Sequence, residues 1–386
     1  MITRRALLAL LACEASMGLR QGVSSRGVRP QPRGKPSGLP FGSRLTDVGR
    51  EAGLTQPVVY GGIDSKRYIV EVVGCGVAFL DYDNDGWLDL FVLSGTQLEG
   101  APAGTTNRLY RNNRDGTFID VTAKAGLTRT GWASAVTVGD YDNDGHDDLF
   151  VTYYGQNVLY RNNGDGTFTD VTEKAGLRQE AVRYGAGCTW VDYDRDGHLD
   201  LFVATYLNTT IEDLPKPGEN PDCRWKNVPV NCGPRGLPTG FVQLFRNNGD
   251  GTFTDVSRQS GVAAASGAYP MTAVAADYDN DGWPDIFATS YDRSLDDVVK
   301  GLLGQPHARD TSRLYRNLGG KTFVDVTAEA GLGACFSAMG TNFGDFDNDG
   351  FLDFYLGTGD HDIATLVPNR MFRNLGGKRF VDITSS

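Results

Sequence analysis

Short apolar runs recur along the chain, and five of them begin directly after a cluster of aspartates. Each run is an Asp followed by three mostly apolar residues, such as Leu-Phe-Val, which predicts a short buried strand. These runs begin at Asp89, Asp148, Asp200, Asp285 and Asp353. A second segment follows each run, as in Leu109 to Thr122, where two strand-like stretches flank an Asp-Gly turn. This second pattern is typical of a β-hairpin. Its relatives begin at Leu159, Leu244, Leu314 and Met371.

One repeat unit is therefore a strand, an Asp-rich loop, a second strand and a hairpin of two more strands. Four antiparallel strands cannot bury both faces alone, so the units are expected to stack on one another. The sequence predicts an all-β fold, a β-propeller of four-stranded blades with five complete units. The loops recur at intervals of 59, 52, 85 and 68 residues. Insertions at about 207–240 and 291–311 account for the longer intervals, and Leu295–Leu303 is expected to form a short helix.

A segment before the first unit, Leu45 to Val48, matches the last strand of a unit but has no unit before it. Either the ring lacks further blades that would use this strand, or the strand is a spare. We favour a ring that lacks blades, because an exposed blade face would otherwise need another cover. Residues 41–386 are thus expected to form an incomplete propeller ring.

Each Asp-rich loop repeats one nine-residue pattern, which in the first copy runs from Asp81 to Asp89. Every copy has aspartate at positions 1, 3, 5 and 9 and glycine at position 6, where a tight turn needs a positive φ. Four crowded carboxylates repel one another unless a cation lies among them, and Ca²⁺ takes about six to eight oxygen ligands. A backbone carbonyl at position 7 would add to the four carboxylates. The predicted carboxylate ligands are Asp81, Asp83, Asp85, Asp89, Asp140, Asp142, Asp144, Asp148, Asp192, Asp194, Asp196, Asp200, Asp277, Asp279, Asp281, Asp285, Asp345, Asp347, Asp349 and Asp353.

Neither an EF-hand nor an ordinary polar turn accounts for these loops as well as a calcium loop whose last ligand is the aspartate at position 9. An EF-hand needs an acidic ligand at position 12. That position is occupied by Val92, Val151, Val203, Ala288 or Leu356. Ordinary Asp/Asn/Gly turns have no reason to repeat five times without departure at positions 1, 3, 5, 6 and 9. The sequence therefore predicts about five Ca²⁺ sites.

Composition agrees with a soluble globular protein that binds cations. The chain has 386 residues, 40% of them hydrophobic and 22% charged, with a net charge of −11. The repeated aspartates supply 20 of its 48 acidic residues, so five divalent ions would bring the net charge to about −1. Nucleic acid is therefore not an expected partner.

The N-terminus has the features of an export signal over residues 1–18. Arg4 and Arg5 precede an apolar run, and Leu10-Leu11-Ala12-Cys13 resembles a bacterial lipobox. A frayed cytosolic N-terminus is the alternative. Lipidation of Cys13 would be the only link to a membrane, and residues 19–40, rich in Gly, Pro, Arg and Ser, are expected to be a disordered linker.

Cysteine usage fits an oxidising compartment. Cys223 and Cys232, in a Pro/Gly-rich loop, are expected to form a disulfide. Zinc ligation is the alternative, but no paired His or second Cys pair lies nearby in the sequence. Three other cysteines stand in apolar stretches and are expected to be buried free thiols. They are Cys75, Cys188 and Cys335.

The loop and hairpin motifs over residues 45–384 resemble the FG-GAP/VCBS-type calcium-binding repeats of integrin α-subunit propellers and exported bacterial proteins. The chain looks most like the cartilage acidic protein family, in which such a propeller precedes an ASPIC/UnbV domain. Cys223 to Pro238 resembles an insertion of its bacterial members. Family propellers usually have seven blades, and no ASPIC/UnbV segment follows Ser386, so the resemblance implies a shortened member. It also implies that position 7 supplies a carbonyl ligand. These residues are Trp87, His146, His198, Trp283 and Phe351.

No catalytic pattern stands out in the sequence. Hydrolase, metalloprotease, phosphate-loop and dinucleotide motifs are absent, and His361 between two aspartates is expected to lie in a solvated loop. His146 and His198 are expected to be loop residues with outward rings. We expect a protein located outside the cytoplasm, periplasmic, cell-surface or secreted, that binds a protein or glycan, with Ca²⁺ as a structural ion. The alternatives are a carbohydrate-active or other enzyme on a propeller scaffold, and a structural piece docked to an ASPIC/UnbV partner.

Overall fold

Short antiparallel strands dominate the computed structural model, which describes residues 45–219, 223–231, 233–264, 269–308, 311–360 and 367–384. Blade one contains β1 (Val77–Leu80), β2 (Asp89–Val92), β3 (Arg108–Asn112) and β4 (Phe118–Asp120). Blade two contains β5 (Trp132–Gly139), β6 (Asp148–Gly155), β7 (Val158–Asn162) and β8 (Phe168–Asp170). Blade three contains β9 (Arg183–Val191) and β10 (Asp200–Leu207), then, after a small insertion sheet of β11 (Arg224–Trp225) and β12 (Val228–Pro229), β13 (Val242–Asn247) and β14 (Phe253–Asp255). A short pairing of β6 with β9, at Tyr154–Tyr184 and Gly155–Arg183, joins blades two and three into one eight-stranded sheet. Blade four contains β15 (Tyr269–Ala276), β16 (Asp285–Tyr291), β17 (Arg313–Asn317) and β18 (Phe323–Asp325). Blade five contains β19 (Ala338–Gly344), β20 (Asp353–Thr358), β21 (Arg370–Asn374) and β22 (Phe380–Asp382). The predicted all-β propeller of four-stranded blades is confirmed.

The hydrophobic core lies between the blades rather than within them. The first strands of successive blades contact one another in the order β1, β5, β9, β15, β19. Between blades one and two, for example, Phe91 of β2 packs with Leu149 and Val158. An aromatic cluster lies at the end of the blades opposite the Asp-rich loops and joins several of them. It includes Tyr68, Trp132, Tyr184, Tyr206, Tyr269 and Tyr291. The apolar runs of the sequence are therefore buried by stacking, as their lack of a polar face requires.

The segment that links one blade to the next accepts the same backbone hydrogen bond at each junction. The N–H of Phe168 at the start of β8 donates to the carbonyl of Ala125, which precedes blade two, at 2.9 Å. Blades three, four and five repeat this bond with Ala175, Ser260 and Ala330. In blade one, the N–H of Phe118 donates to Ala52 at 2.8 Å. The N-terminal segment therefore takes the place of a link from a preceding blade.

The expected strand at Leu45 to Val48 does not form in the structure. A strand needs a neighbour for its backbone groups, and among the described residues none pairs with this segment. The segment is exposed, whereas the link that follows it is seated on blade one.

The two predicted insertions lie near the aromatic end. The first contains Ile211–Asp213 as a short 3₁₀ turn and buries Leu214 in the aromatic cluster. The second forms the expected helix, α1 (Leu295–Leu302), which begins with acidic residues and ends near Lys300. Other 3₁₀ turns span Ile69–Val72 and Val262–Ala264. None of the helices in the described part of the chain is long and apolar enough to span a bilayer.

Several expectations fall on residues outside the described ranges. These are the export signal with Cys13, the linker at 19–40, Cys232 and His361. Cys223 is buried, and its disulfide with Cys232 stays a prediction. Cys75 and Cys188 carry free thiols and are half-buried. Cys335 is buried, with its Sγ 3.6 Å from Nδ1 of His307.

Candidate metal centres

Each Asp-rich loop joins the first two strands of a blade, and its own backbone folds around the aspartate at position 1. In blade two, Asp140 accepts the backbone N–H groups of Asp144 at 3.0 Å and Gly145 at 2.9 Å. Gly145 has φ +90°, in the left-handed region that favours glycine. Position 4 also has a positive φ, as in Asn143 at +58°. No role was predicted for position 4 from the sequence, although Asn adopts this left-handed conformation more readily than most residues and so signals it in such a loop.

Three aspartates of each loop bring their carboxylate oxygens within 4.8 Å of one another. In blades two to five these are positions 1, 3 and 9. The groups are Asp140, Asp142 and Asp148; Asp192, Asp194 and Asp200; Asp277, Asp279 and Asp285; and Asp345, Asp347 and Asp353. In blade one the group is Asp81, Asp83 and Asp85, at positions 1, 3 and 5. Five clusters, one per repeat, are thus positioned to hold a metal ion.

The aspartate at position 9 is buried in blades two to five, and in blade three Asp192 at position 1 is buried as well. In blade two, Asp148 accepts the N–H of Tyr141 at 3.1 Å and that of Asn162 at 2.8 Å. Burial nevertheless raises its pKa to about 8, because the charged form is cut off from water. The same cause raises the pKa of Asp200 to about 9 and that of Asp285 to about 8. A cation beside these carboxylates would favour their charged form.

The aspartate at position 5 has a different place in blades two to five. Asp144, for example, accepts the N–H of His146 at 3.0 Å through one oxygen. Its other oxygen accepts a bond from Arg161 at 2.9 Å. The structure therefore turns this predicted ligand toward the backbone and an arginine, while positions 1, 3 and 9 form the cluster.

An arginine from the third strand balances part of the negative charge. Arg161 donates to Asp142 at 2.7 Å as well as to Asp144. The corresponding arginines of the next three blades contact positions 3 and 5 in the same way. They are Arg246, Arg316 and Arg373. The other oxygen of Asp142 is buried and has no hydrogen-bond donor in the described part of the structure. A cation would satisfy that oxygen without displacing the arginine. Blade one differs, because Arg114 of the turn contacts Asp85 instead.

Neighbouring loops contact one another through positions 4 and 7. The side-chain amide of Asn84 donates to the carbonyl of Gly145 at 3.0 Å and lies 2.8 Å from Nδ1 of His146. Asn143 contacts His198 in the same way, at 3.1 Å. The two histidine rings therefore lie against the preceding loop, and the expectation that they point outward is wrong. These contacts form because the loops of adjacent blades come close enough to exchange hydrogen bonds, as Asn280 also does with the carbonyl of Gly350 at 3.0 Å.

The recurring loop and hairpin match a known family. Residues 81–151, 140–203, 235–288 and 295–356 match the model of the FG-GAP-like repeat. The chain belongs to the FG-GAP-like repeat family. No curated protein matches this FG-GAP-like repeat chain at a significant level.

Solved structures with a similar backbone arrangement include a lectin and two lyases. The lectin, from Agrocybe aegerita, recognises non-reducing terminal N-acetylglucosamine; it is 16% identical with a TM-score of 0.33, over 79% of this chain and 78% of the lectin. The rhamnogalacturonan lyase YesW is 15% identical with a TM-score of 0.30, over 75% of this chain and 58% of the lyase. A rhamnogalacturonan lyase of Bacillus licheniformis is 15% identical with a TM-score of 0.29, over 75% of this chain and 55% of that enzyme. The FG-GAP-like chain thus spans little more than half the length of either lyase.

The donor set of the clusters suits a hard cation. Each cluster in the described residues consists of aspartate alone. Carboxylate oxygens are preferred by Ca²⁺ and Mg²⁺, whereas Zn²⁺ favours His and Cys ligands. The clusters of this FG-GAP-like repeat protein therefore fit an oxygen-bound divalent ion.

Proposed function

We propose that this FG-GAP-like repeat protein is an exported calcium-binding propeller that acts as a binding or adhesion module for a protein or glycan. The observation that carries the proposal is the set of five all-aspartate clusters, one in each blade. In blade two, Asp140, Asp142 and Asp148 would hold the ion, with Asp144 and the carbonyl of His146 as the remaining predicted ligands. Calcium is favoured over Mg²⁺ because a flexible loop of carboxylates and carbonyls suits its larger, adaptable shell.

Calcium in these loops would be structural. Asp148 accepts the backbone N–H of Asn162 at 2.8 Å, and the Asn162 side chain donates to the carbonyl of Tyr82 in the preceding blade at 2.8 Å. An ion held by Asp148 would thus connect the loop, the hairpin of its own blade and the neighbouring blade. This role requires no reaction at the ion.

The binding surface is proposed at the end opposite the loops, where the first insertion lies. Arg235 of that insertion contacts Asp292 at 2.9 Å and Asp360 at 2.5 Å, which anchors the insertion to blades four and five. Val228, the first residue of β12 directly after the turn of the small sheet, is exposed. The motif Asn231-Cys-Gly-Pro-Arg235-Gly-Leu-Pro238 also supports placing the chain near bacterial members of the cartilage acidic protein family. An anchored insertion with an exposed tip suits recognition of a macromolecule.

Arrays of glycans and of extracellular proteins test this proposal with the purified chain in calcium. We expect retention without product formation, and weaker retention of the variant Val228→Ser. Ile119→Ser is the matched control, because Ile119 is a similarly exposed aliphatic residue on the outer strand of blade one. Retention equally weakened by both variants would contradict the assigned surface. Turnover of a glycan in the same assay would instead favour the enzyme alternative.

A further inference from the structure

The four junctions between blades repeat one set of contacts. At each junction, an Asn of the following blade donates to the carbonyl of loop position 2 in the preceding blade, at 2.8 Å. These bonds run from Asn162 to Tyr82, Asn247 to Tyr141, Asn317 to Tyr193 and Asn374 to Tyr278. The ring at position 2 also packs against the first residue of the following outer strand, as Tyr82 does against Phe168 with centroids 6.5 Å apart. The junction is therefore a modular interface that any two adjacent blades can form.

Blade five carries the first half of this interface, and within the described ranges no blade follows it. Phe346, at loop position 2, is 46% exposed, whereas the four equivalent tyrosines are at most 5% exposed. Tyr355 of β20 is 42% exposed, whereas its four equivalents, Phe91, Phe150, Phe202 and Phe287, are at most 2% exposed. Phe346 and Tyr355 define the open face of blade five. Two exposed aromatic residues at positions that are buried in every other blade mark an interaction surface.

Blade one carries the second half of the interface, and no blade precedes it among the residues that the structure describes. Phe79 of β1 is 61% exposed, whereas its equivalent in blade three, Trp190, is 3% exposed and those in the other blades are half-buried. Leu88 is 57% exposed, whereas its equivalent in blade three, Leu199, is 8% exposed. Phe79 and Leu88 define the open face of blade one. On the same blade, the side chain of Asn112 donates to Leu88 at 2.9 Å, the bond within the blade that the equivalent asparagines also make.

We propose that this FG-GAP-like chain associates head to tail, with the open face of blade five in one copy against the open face of blade one in a second copy. The two faces are the two halves of an interface that the chain already forms four times internally. In the pair, the side chain of Asn112 would donate to the carbonyl of Phe346, as the Asn162 side chain does to that of Tyr82. The ring of Phe346 would lie against Phe118, the equivalent of Phe168. Such an interface is heterologous, so each copy added leaves one free face of each kind.

The segment Leu45 to Val48 fits this arrangement only if it moves. The N–H of Ala52 donates to the carbonyl of Val48 at 2.8 Å, as that of Ala125 does to Val121 at 2.9 Å after blade one's outer strand. Val48 therefore occupies the place where β22 of the incoming copy would end. Leu45 and Val48 are exposed and make no strand pairing in the described structure, so their displacement costs few contacts.

Light scattering or sedimentation of the purified chain in calcium tests the proposal with two variants. Phe79→Asp blocks the open face of blade one, and Tyr355→Asp blocks that of blade five. We expect the mass of the native chain to rise with concentration, and each variant alone to remain monomeric. An equimolar mixture should then double in mass, because one free face of each kind remains. Ile119→Asp, exposed on the outer strand, is the control and should associate like the native chain.

Circular dichroism and melting curves establish that both blocked variants remain folded. A native chain that stays monomeric at all concentrations overturns the proposal and leaves further repeat units as the occupants of both faces. Variants that associate alone, or a folded mixture that stays monomeric, also overturn it. Only the doubling of mass in the mixture distinguishes head-to-tail pairing from symmetric association.

Discussion

Replacing Asp148 by Asn should remove one of the proposed calcium sites and reduce the stability that calcium is proposed to confer on the protein. Asp148 is fully buried and belongs to the cluster with Asp140 and Asp142. The amide keeps the size of the side chain but loses the charge that holds the ion. The change in free energy of unfolding between calcium and EGTA is therefore the quantity to compare.

The expected magnitude follows from linkage between binding and folding. Extracellular calcium modules bind with a Kd of about 0.1–1 mM. With about 1 mM calcium and a Kd near 0.1 mM, each loop would contribute about 1.4 kcal/mol. Five such loops would contribute about 7 kcal/mol, comparable with the total stability of many domains, about 5–15 kcal/mol. Asp148→Asn should reduce the calcium-dependent part by about one fifth.

Urea unfolding in calcium and in EGTA measures this difference for each variant. Subtracting the EGTA value removes the effects on the metal-free protein, including the hydrogen bonds of Asp148 and the cost of its buried charge. Asp165→Asn is the matched control, because Asp165 lies in the exposed hairpin turn of the same blade and caps Thr167. A calcium-dependent stability that is equal in Asp148→Asn and the native chain would refute the reasoning.

Three further predictions test other contacts of the loops. Arg161→Ala removes a positive charge 2.7 Å from Asp142. Because the pair is partly exposed, we expect only about 2–5-fold tighter calcium binding in that loop by titration calorimetry, and weaker binding would show that the arginine supports the site instead. Asn162→Ala removes the hydrogen bonds to the carbonyls of Tyr82 and Asp147 and should lower the free energy of unfolding by about 2–3 kcal/mol. Asn112→Ala should lower it clearly less, because Asn112 makes the bond within its blade but none to a preceding blade in the described structure; equal losses would argue against the junction bond. Replacing both Asp279 and Asp281 by Ala should lower the calcium stoichiometry from five to four, measured by elemental analysis, and a loss of all ions would mean that the sites are not independent.

The repeated strands and turns could be predicted from the sequence because each repeat contains the same local sequence pattern. The strands after Asp89, Asp148 and Asp200 follow from short apolar runs, and glycine at position 6 adopts the positive φ that the turn requires. Both features depend on residues close in sequence. Five copies of the same local signal made them clear.

Contacts between repeats could not be predicted in the same way. The arginine at Arg161 stands in the hairpin motif, but its distance to Asp142 depends on how the third strand lies beside the loop. The ring of His146 contacts Asn84, 62 positions earlier, which no local pattern encodes. Leu45 to Val48 has the sequence of a strand but no neighbour to pair with in the described structure. Local pattern therefore specified the blade, while stacking of the blades decided the roles of these side chains.

Calcium stoichiometry of the purified native chain is the most direct test of the central claim. After exhaustive removal of divalent ions and dialysis against millimolar calcium, the account predicts about five bound ions per chain and a melting temperature that falls when EGTA is added. A protein that binds no calcium and melts at the same temperature in both buffers would contradict it.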